Sequence, residues 1–162
     1  MAAQSGRPAD CTEEFVLRHE NRVYRAAYAV MGNKADAEDV TQDVFLKVLQ
    51  KPPLFQSPEH EAAWLVRVAV NLCRSRLREA KRARAAPLTE DIAAPGAGGT
   101  SEDLAEALRS LPRIYRAAVY LHYYAGYSTK EAAKMMHTKE STFRSLLFRA
   151  RSKLKDYLTE GE

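Results

Sequence analysis

The chain has 162 residues and a formal charge of +4, with 46% hydrophobic and 28% charged residues, the composition of a soluble, helix-rich protein with room for one compact domain or two small ones. Two small cores would each be marginally stable, and a charge this mild does not by itself argue for nucleic acid; the distribution of charge has to carry that. No apolar run approaches the roughly 20 residues that cross a bilayer, and the opening Met-Ala-Ala-Gln-Ser-Gly-Arg-Pro has no apolar signal core, so a cytoplasmic chain with no membrane insertion is expected.

Strand signals are nearly absent, while helical periodicity recurs. The expected architecture is all-α, two small helical domains joined by a flexible linker: a tail over 1–12, a first domain over 13–82, the linker over 83–101, and a second domain over 102–162. The linker rests on composition. Ala83 to Ser101 holds two prolines and three glycines and has no amphipathic pattern.

The first helix, Glu13 to Met31, places Phe15, Val16, Val23, Tyr24, Ala27 and Val30 on one side. Gly32-Asn33 is expected to end it in a left-handed cap. The second helix runs from about Ala35 to Lys51 and stops at Pro52-Pro53. Its apolar stripe is Ala37, Val40, Val44 and Val48; Asp36, Asp39 and Asp43 lie on another face. Acids in the first turn suit the helix dipole, but Asp43 lies beyond that turn, so this face is either solvated or a partner surface.

Leu54 to Glu61 reads as a loop, and a long third helix follows from about Glu59 to Arg82. At about 100° per residue, Arg67, Asn71, Arg74, Arg78 and Lys81 fall in one stripe, with Leu65, Val68, Ala69, Leu72 and Cys73 opposite. A row of guanidinium groups around an asparagine suits phosphates and base edges; a solvated surface helix is the alternative. Trp64 is a core residue or a stacking platform for a base. Arg76 projects toward the apolar side, and the sequence offers no account of it.

In the second domain Pro112 is expected at the first position of a helix that continues through Ala117, Ala118 and Leu121 and ends at Gly126. Ser128-Thr-Lys-Glu131 is a capping box that starts a short helix through Met136, and His137-Thr138 forms a turn. The last helix begins near Lys139–Ser141 with an apolar stripe of Phe143, Leu146, Leu147, Ala150, Leu154 and Leu158. Arg144, Ser145, Phe148, Arg149, Ser152 and Lys155 lie away from that stripe. The pair of helices reads as a helix-turn-helix whose second member enters the DNA major groove.

Taken together, these segments resemble the extracytoplasmic-function (ECF) sigma factors of the bacterial sigma-70 family. Three pieces carry the resemblance: Asp36-Ala-Glu-Asp-Val-Thr-Gln-Asp-Val-Phe; Phe55 with Trp64-Leu-Val-Arg-Val-Ala-Val-Asn71; and Tyr127-Ser-Thr-Lys-Glu-Ala-Ala through Phe148-Arg-Ala-Arg-Ser-Lys-Leu154. The resemblance implies partners: RNA polymerase core (β′ clamp helices and β flap), promoter DNA, and an anti-sigma factor as a further candidate. It implies polymerase-binding residues Asp36, Asp39, Gln42 and Asp43. It places Phe55, Ser57, His60, Trp64, Arg67, Asn71, Arg74 and Arg78 at the melted −10 strand, and Thr142, Arg144, Ser145, Phe148, Arg149 and Ser152 at the −35 duplex. Departures from the family pattern are His137 in a turn where Gly is common, Leu146 for a frequent Arg, Ser75 for Asp or Asn, and a −10 loop without Gly.

No catalytic constellation is recognisable, so an initiation factor rather than an enzyme is expected, with no cofactor. Cys11 and Cys73 have no Cys or His at zinc-ligand spacing, which predicts free thiols and no metal. The rival readings are a stand-alone helix-turn-helix regulator and a sigma-like decoy for an anti-sigma factor.

Overall fold

The computed structural model describes residues 7–8, 13–83 and 102–160. The rest of the 1–12 tail with Cys11, the linker beyond Ala83, and the last two residues lie outside the described residues.

Helix α1, Glu13–Met31, buries Phe15, His19, Val23, Ala26, Ala27 and Val30 along one side. Gly32 takes a φ of +82°, and its N–H donates to the Tyr28 carbonyl at 2.9 Å. The left-handed cap is therefore Gly32 alone. Asn33 has an extended backbone and opens α2, Lys34–Gln50, with its Oδ1 accepting from the Asp36 N–H at 2.9 Å. A short amide side chain competes well for an orphan N–H, which is why Asn33 belongs to the second helix. Ala37, Val40, Val44 and Val48 are fully buried, as the spacing predicts.

Leu54–Phe55 (β2) pairs antiparallel with Arg7–Pro8 (β1), in the register Arg7 with Phe55 and Pro8 with Leu54. The segment from Leu54 is thus not all loop. Two residues are too few to show an alternating pattern, and helix α3, Pro58–Ala83, already begins within it. On α3 the buried residues are Leu65, Val66, Ala69, Val70 and Cys73, while Val68 and Leu72 are half-buried. The core face is rotated toward Val66 and Val70 from the predicted one because the second unit packs on the Arg74 side of the helix.

The second unit contains α4 (Glu102–Ser110), α5 (Arg113–Val119), a π-helical turn (Tyr120–Tyr124), α6 (Thr129–Met135) and α7 (Glu140–Glu160). Helix α4 was not anticipated. Pro112 sits one position outside α5, with ψ of 149°, rather than at its first position. Gly126, φ +84°, turns the chain toward α6; a Cβ there would meet nothing within 4 Å, so the demand is on backbone conformation alone. Phe143, Leu146, Leu147 and Ala150 of α7 are buried, Leu154 is half-buried, and Leu158 is 37% exposed, so the predicted stripe runs out before the end of the helix.

The two units do not hold separate cores. One apolar cluster runs from Val23, Val40 and Val70 to Ala117, Leu121, Met136 and Phe143, with Tyr24, Tyr28, Tyr120 and Tyr127 packed against it. A smaller cluster of Leu108, Leu111, Val119 and Ala150 lies under α4. Among the described residues no helix is long and apolar enough to cross a membrane.

Candidate nucleic-acid interface

The acidic face of α2 is already engaged within the chain. Asp36, Asp39 and Gln42 are exposed and Asp43 is half-buried. Arg76 reaches across from α3, its Nη1 2.5 Å from Asp39 and its Nη2 bonded to Asp43. Burial would lower the Arg76 pKa; the hydrogen bond to Asp39 and the charges of Asp43 and Asp39 outweigh it and hold the guanidinium charged. This is the role that Arg76 lacked in the sequence: it ties the acids of α2 to the basic helix.

The stripe on α3 is split. Arg67, Arg78 and Lys81 are exposed, whereas Asn71 and Arg74 are half-buried. Asn71 Nδ2 lies 3.1 Å from His137 Nε2, and Arg74 Nη1 donates to the Met136 carbonyl. Burial, with a smaller contribution from the Arg78 charge, lowers the Arg74 pKa. Both partners lie in the turn between α6 and α7, so the middle of the stripe faces the second unit.

The loop before α3 is ordered from within. Ser57 Oγ accepts from the His60 N–H at 3.0 Å, and His60 Nδ1 accepts from the Gln56 N–H at 3.1 Å. Phe55 is 7% exposed, with its ring edge-on to His60 at 5.7 Å and to Trp64 at 5.6 Å. Phe55 is therefore buried against both rings, with His60 exposed and Trp64 half-buried. The structure brings Phe55, Ser57, His60 and Trp64 together; Arg67 and Arg78 lie further along the same helix.

Helix α7 presents the clearest open face. Thr142, Arg144, Ser145, Phe148, Arg149 and Ser152 are all exposed, Phe148 at 65%. The opposite side is anchored by Phe143, Leu146 and Leu147. The start of α6 carries the capping box in full, with the Glu131 N–H donating to Ser128 Oγ and the Ser128 N–H to Glu131 Oε1, each at 3.1 Å. Those bonds from Ser128 lower the Glu131 pKa. Thr129 Oγ1 donates to Glu140 Oε2 at 2.7 Å and pins α6 to α7. His137 makes the turn with φ of +54°, an uncommon value for a residue with a side chain.

Two contacts between the units were not legible beforehand. His137 stood out in the sequence, but as a turn residue and not as a contact to Asn71. Arg116 is buried between the units and donates to carbonyls of α1, Nε to Ala29 at 3.0 Å and Nη2 to Val30 at 2.9 Å. Its only signal was position, three residues before Val119 on the buried side of α5.

Residues 15–83 match the family Sigma-70 region 2, and residues 101–154 match Sigma-70, region 4. SigM of Mycobacterium tuberculosis, an ECF RNA polymerase sigma factor, is 34% identical over 147 residues, covering 88% of this chain and 74% of that protein. The chain belongs to the ECF group of the sigma-70 family. SigE of Mycolicibacterium smegmatis, another ECF sigma factor, is 37% identical over 159 residues, which cover 91% of this chain and 62% of that protein, so the chain spans about three fifths of this relative's length. The sigma factor RpoE of Bartonella quintana, solved with the anti-sigma factor NepR, shares the fold at a TM-score of 0.72, with 24% identity over 91% of this chain and 96% of that one.

Proposed function

We propose that this ECF-family chain is an initiation factor: it binds bacterial RNA polymerase core, reads a −35 duplex with α7, and captures the melted −10 strand with α3 and the loop before it. The observation that carries the reading is the open face of α7. Arg144, Ser145, Phe148, Arg149 and Ser152 are solvent-facing on a helix whose other side is locked into the core, and such a helix can enter a major groove without disturbing the fold. Arginines at two positions suit guanine edges and phosphates, and Phe148 suits a thymine methyl or a sugar.

The strand-capturing site would use His60 and Trp64 beside the buried Phe55 to hold an unstacked base, with Arg67, Asn71, Arg74 and Arg78 tracking the backbone. Asp36, Asp39, Gln42 and Asp43 would meet the β′ clamp helices, and the second unit the β flap. The chemistry of RNA synthesis is supplied by polymerase, and each DNA contact is strengthened because polymerase holds both units on one promoter. An anti-sigma factor is a further partner, in keeping with the company in which the B. quintana sigma factor was solved.

Polymerase capture tests the reading. Asp43→Arg removes one carboxylate partner of Arg76 and sets like charges together at a partly exposed site, while Asp39 still pairs with Arg76. The variant is expected to keep its helical circular dichroism and lose co-elution with core polymerase. Normal co-elution would count against Asp43 as a polymerase contact.

A further inference from the structure

We propose that His60 is a fixed hydrogen-bond donor that selects a carbonyl-bearing base, thymine, cytosine or guanine, over adenine where the loop before α3 holds an unstacked base. The inference rests on the reading of that loop as part of the strand-capturing site.

The backbone is fixed first. The Glu61 N–H donates to the Ser57 carbonyl at 3.0 Å, and the His60 N–H donates to Ser57 Oγ at 3.0 Å. Ser57 is therefore the N-cap of α3. Pro58 takes the first helical position, where its missing N–H costs nothing, and His60 takes the third. In a capping box the third side chain is Glu or Gln and reaches back to a backbone N–H. Here an imidazole takes that part: His60 Nδ1 accepts from the Gln56 N–H at 3.1 Å.

That bond decides where the ring proton sits. A neutral imidazole has one N–H and one bare nitrogen. A backbone N–H can only donate, so Nδ1 is the bare nitrogen and Nε2 carries the proton. No group among the described residues bonds Nε2, and His60 is exposed. The ring is also held edge-on to Phe55, at 5.7 Å and 86°. A capping glutamate would turn an acceptor outward; the capped histidine turns out a donor, and its direction is set before DNA arrives.

The charge around the ring says what that donor suits. Glu59 and Glu61 share the first turn of α3. Glu61 is turned to α1, where Arg18 Nη1 at 3.3 Å and His19 Nε2 meet its Oε1, but Glu59 is exposed. Its carboxylate disfavours a phosphate and leaves a neutral acceptor as the better fit. Thymine, cytosine and guanine each present a carbonyl with two lone pairs, whereas adenine presents an amino donor and ring nitrogens. A fixed donor therefore meets an acceptor over a wider arc on the first three, and meets another donor on the amino edge of adenine.

Two measurements on the full chain test this. The first is a long-range proton–nitrogen NMR spectrum in mildly alkaline buffer, with the His60 ring assigned by its loss in His60→Asn. The Nε2–H tautomer is expected; a proton on Nδ1, or a mixture of both forms, would overturn the fixed donor. The second uses core polymerase and promoters randomised over the −10 segment. His60→Asn keeps a short acceptor for the Gln56 N–H and removes the outward donor, whereas His60→Gln carries an amide that reaches the place of Nε2. With the parent, adenine is expected to be depleted about fivefold at one non-template −10 position, the size of one neutral hydrogen bond. The depletion should vanish with His60→Asn, return in part with His60→Gln, and leave the −35 preference unchanged in both. Equal loss at all −10 sequences would make His60 a cap alone and overturn the selection. Depletion that survives His60→Asn, or is absent in the parent, would do the same while protein-dependent transcription keeps the initiation reading. No dependent transcription from the parent would sink both.

Discussion

Two phenylalanines on α7, five residues apart, carry opposite expectations. Phe143 is fully buried and Phe148 is 65% exposed. Phe143→Ala should lower unfolding stability by about 3–5 kcal/mol, the cost of emptying a core site. Phe148→Ala should leave the urea midpoint nearly unchanged, within about 0.5 kcal/mol, and weaken polymerase-dependent use of the −35 duplex instead. A large stability loss at Phe148 would show that the ring is structural. Arg149→Ala, on the same open face, should cost about 1–3 kcal/mol in −35-dependent binding; equal activity across a panel of −35 mutants would remove it from the readout. Cys73 gives a prediction of another kind. Burial pushes its thiol up to about 12, so the thiolate that reacts with alkylating agents is nearly absent at pH 8. Cys73 should alkylate far more slowly in the folded chain than in urea. Because the folded pKa is raised, this group favours folding below the ordinary thiol range, and that contribution falls away as pH rises toward about 12.

At the scale of the element, the capping box of α6 is both legible and testable. Ser128→Ala should cost about 1 kcal/mol, read as a lower urea midpoint. The bonds from Ser128 depress the Glu131 pKa, so their contribution is present above the ordinary carboxylate range and is lost as pH falls below it. Circular dichroism at a pH below the ordinary carboxylate range should therefore show a smaller penalty for Ser128→Ala than at neutral pH; an undiminished penalty there would contradict the coupling. Elements with a local signature are legible in the sequence: the valine stripe of α2 and the capping box of α6; the basic stripe of α3 is legible as a stripe, but not its division between solvent and the second unit. Helix α4 was missed because it is short and its buried Ala105 and Ala107 look like linker alanines. The two-residue strands were missed because they have no periodicity, and Asn33 was assigned to the wrong helix because a Gly-Asn pair can both end one helix and start the next.

At the scale of the whole molecule, the contacts that sequence could not supply are those between elements far apart in the chain. Arg116 with α1, Arg74 and Asn71 with the α6–α7 turn, and Arg76 with Asp39 and Asp43 each join residues at least 33 positions apart. No local pattern encodes such a partner. They also change how the site residues are understood: faces expected to stand open are partly engaged within the chain, while the α7 face remains open. The family match over residues 15–83 and 101–154 and the initiation role proposed here meet in a single assay. Bacterial core polymerase, with and without the protein, is given a library of randomised promoters and its transcripts are sequenced. The account predicts start sites that depend on the protein and share paired −35 and −10 sequences. Transcription indifferent to the protein, with duplex DNA bound by the protein alone, would contradict it and make the chain a stand-alone regulator.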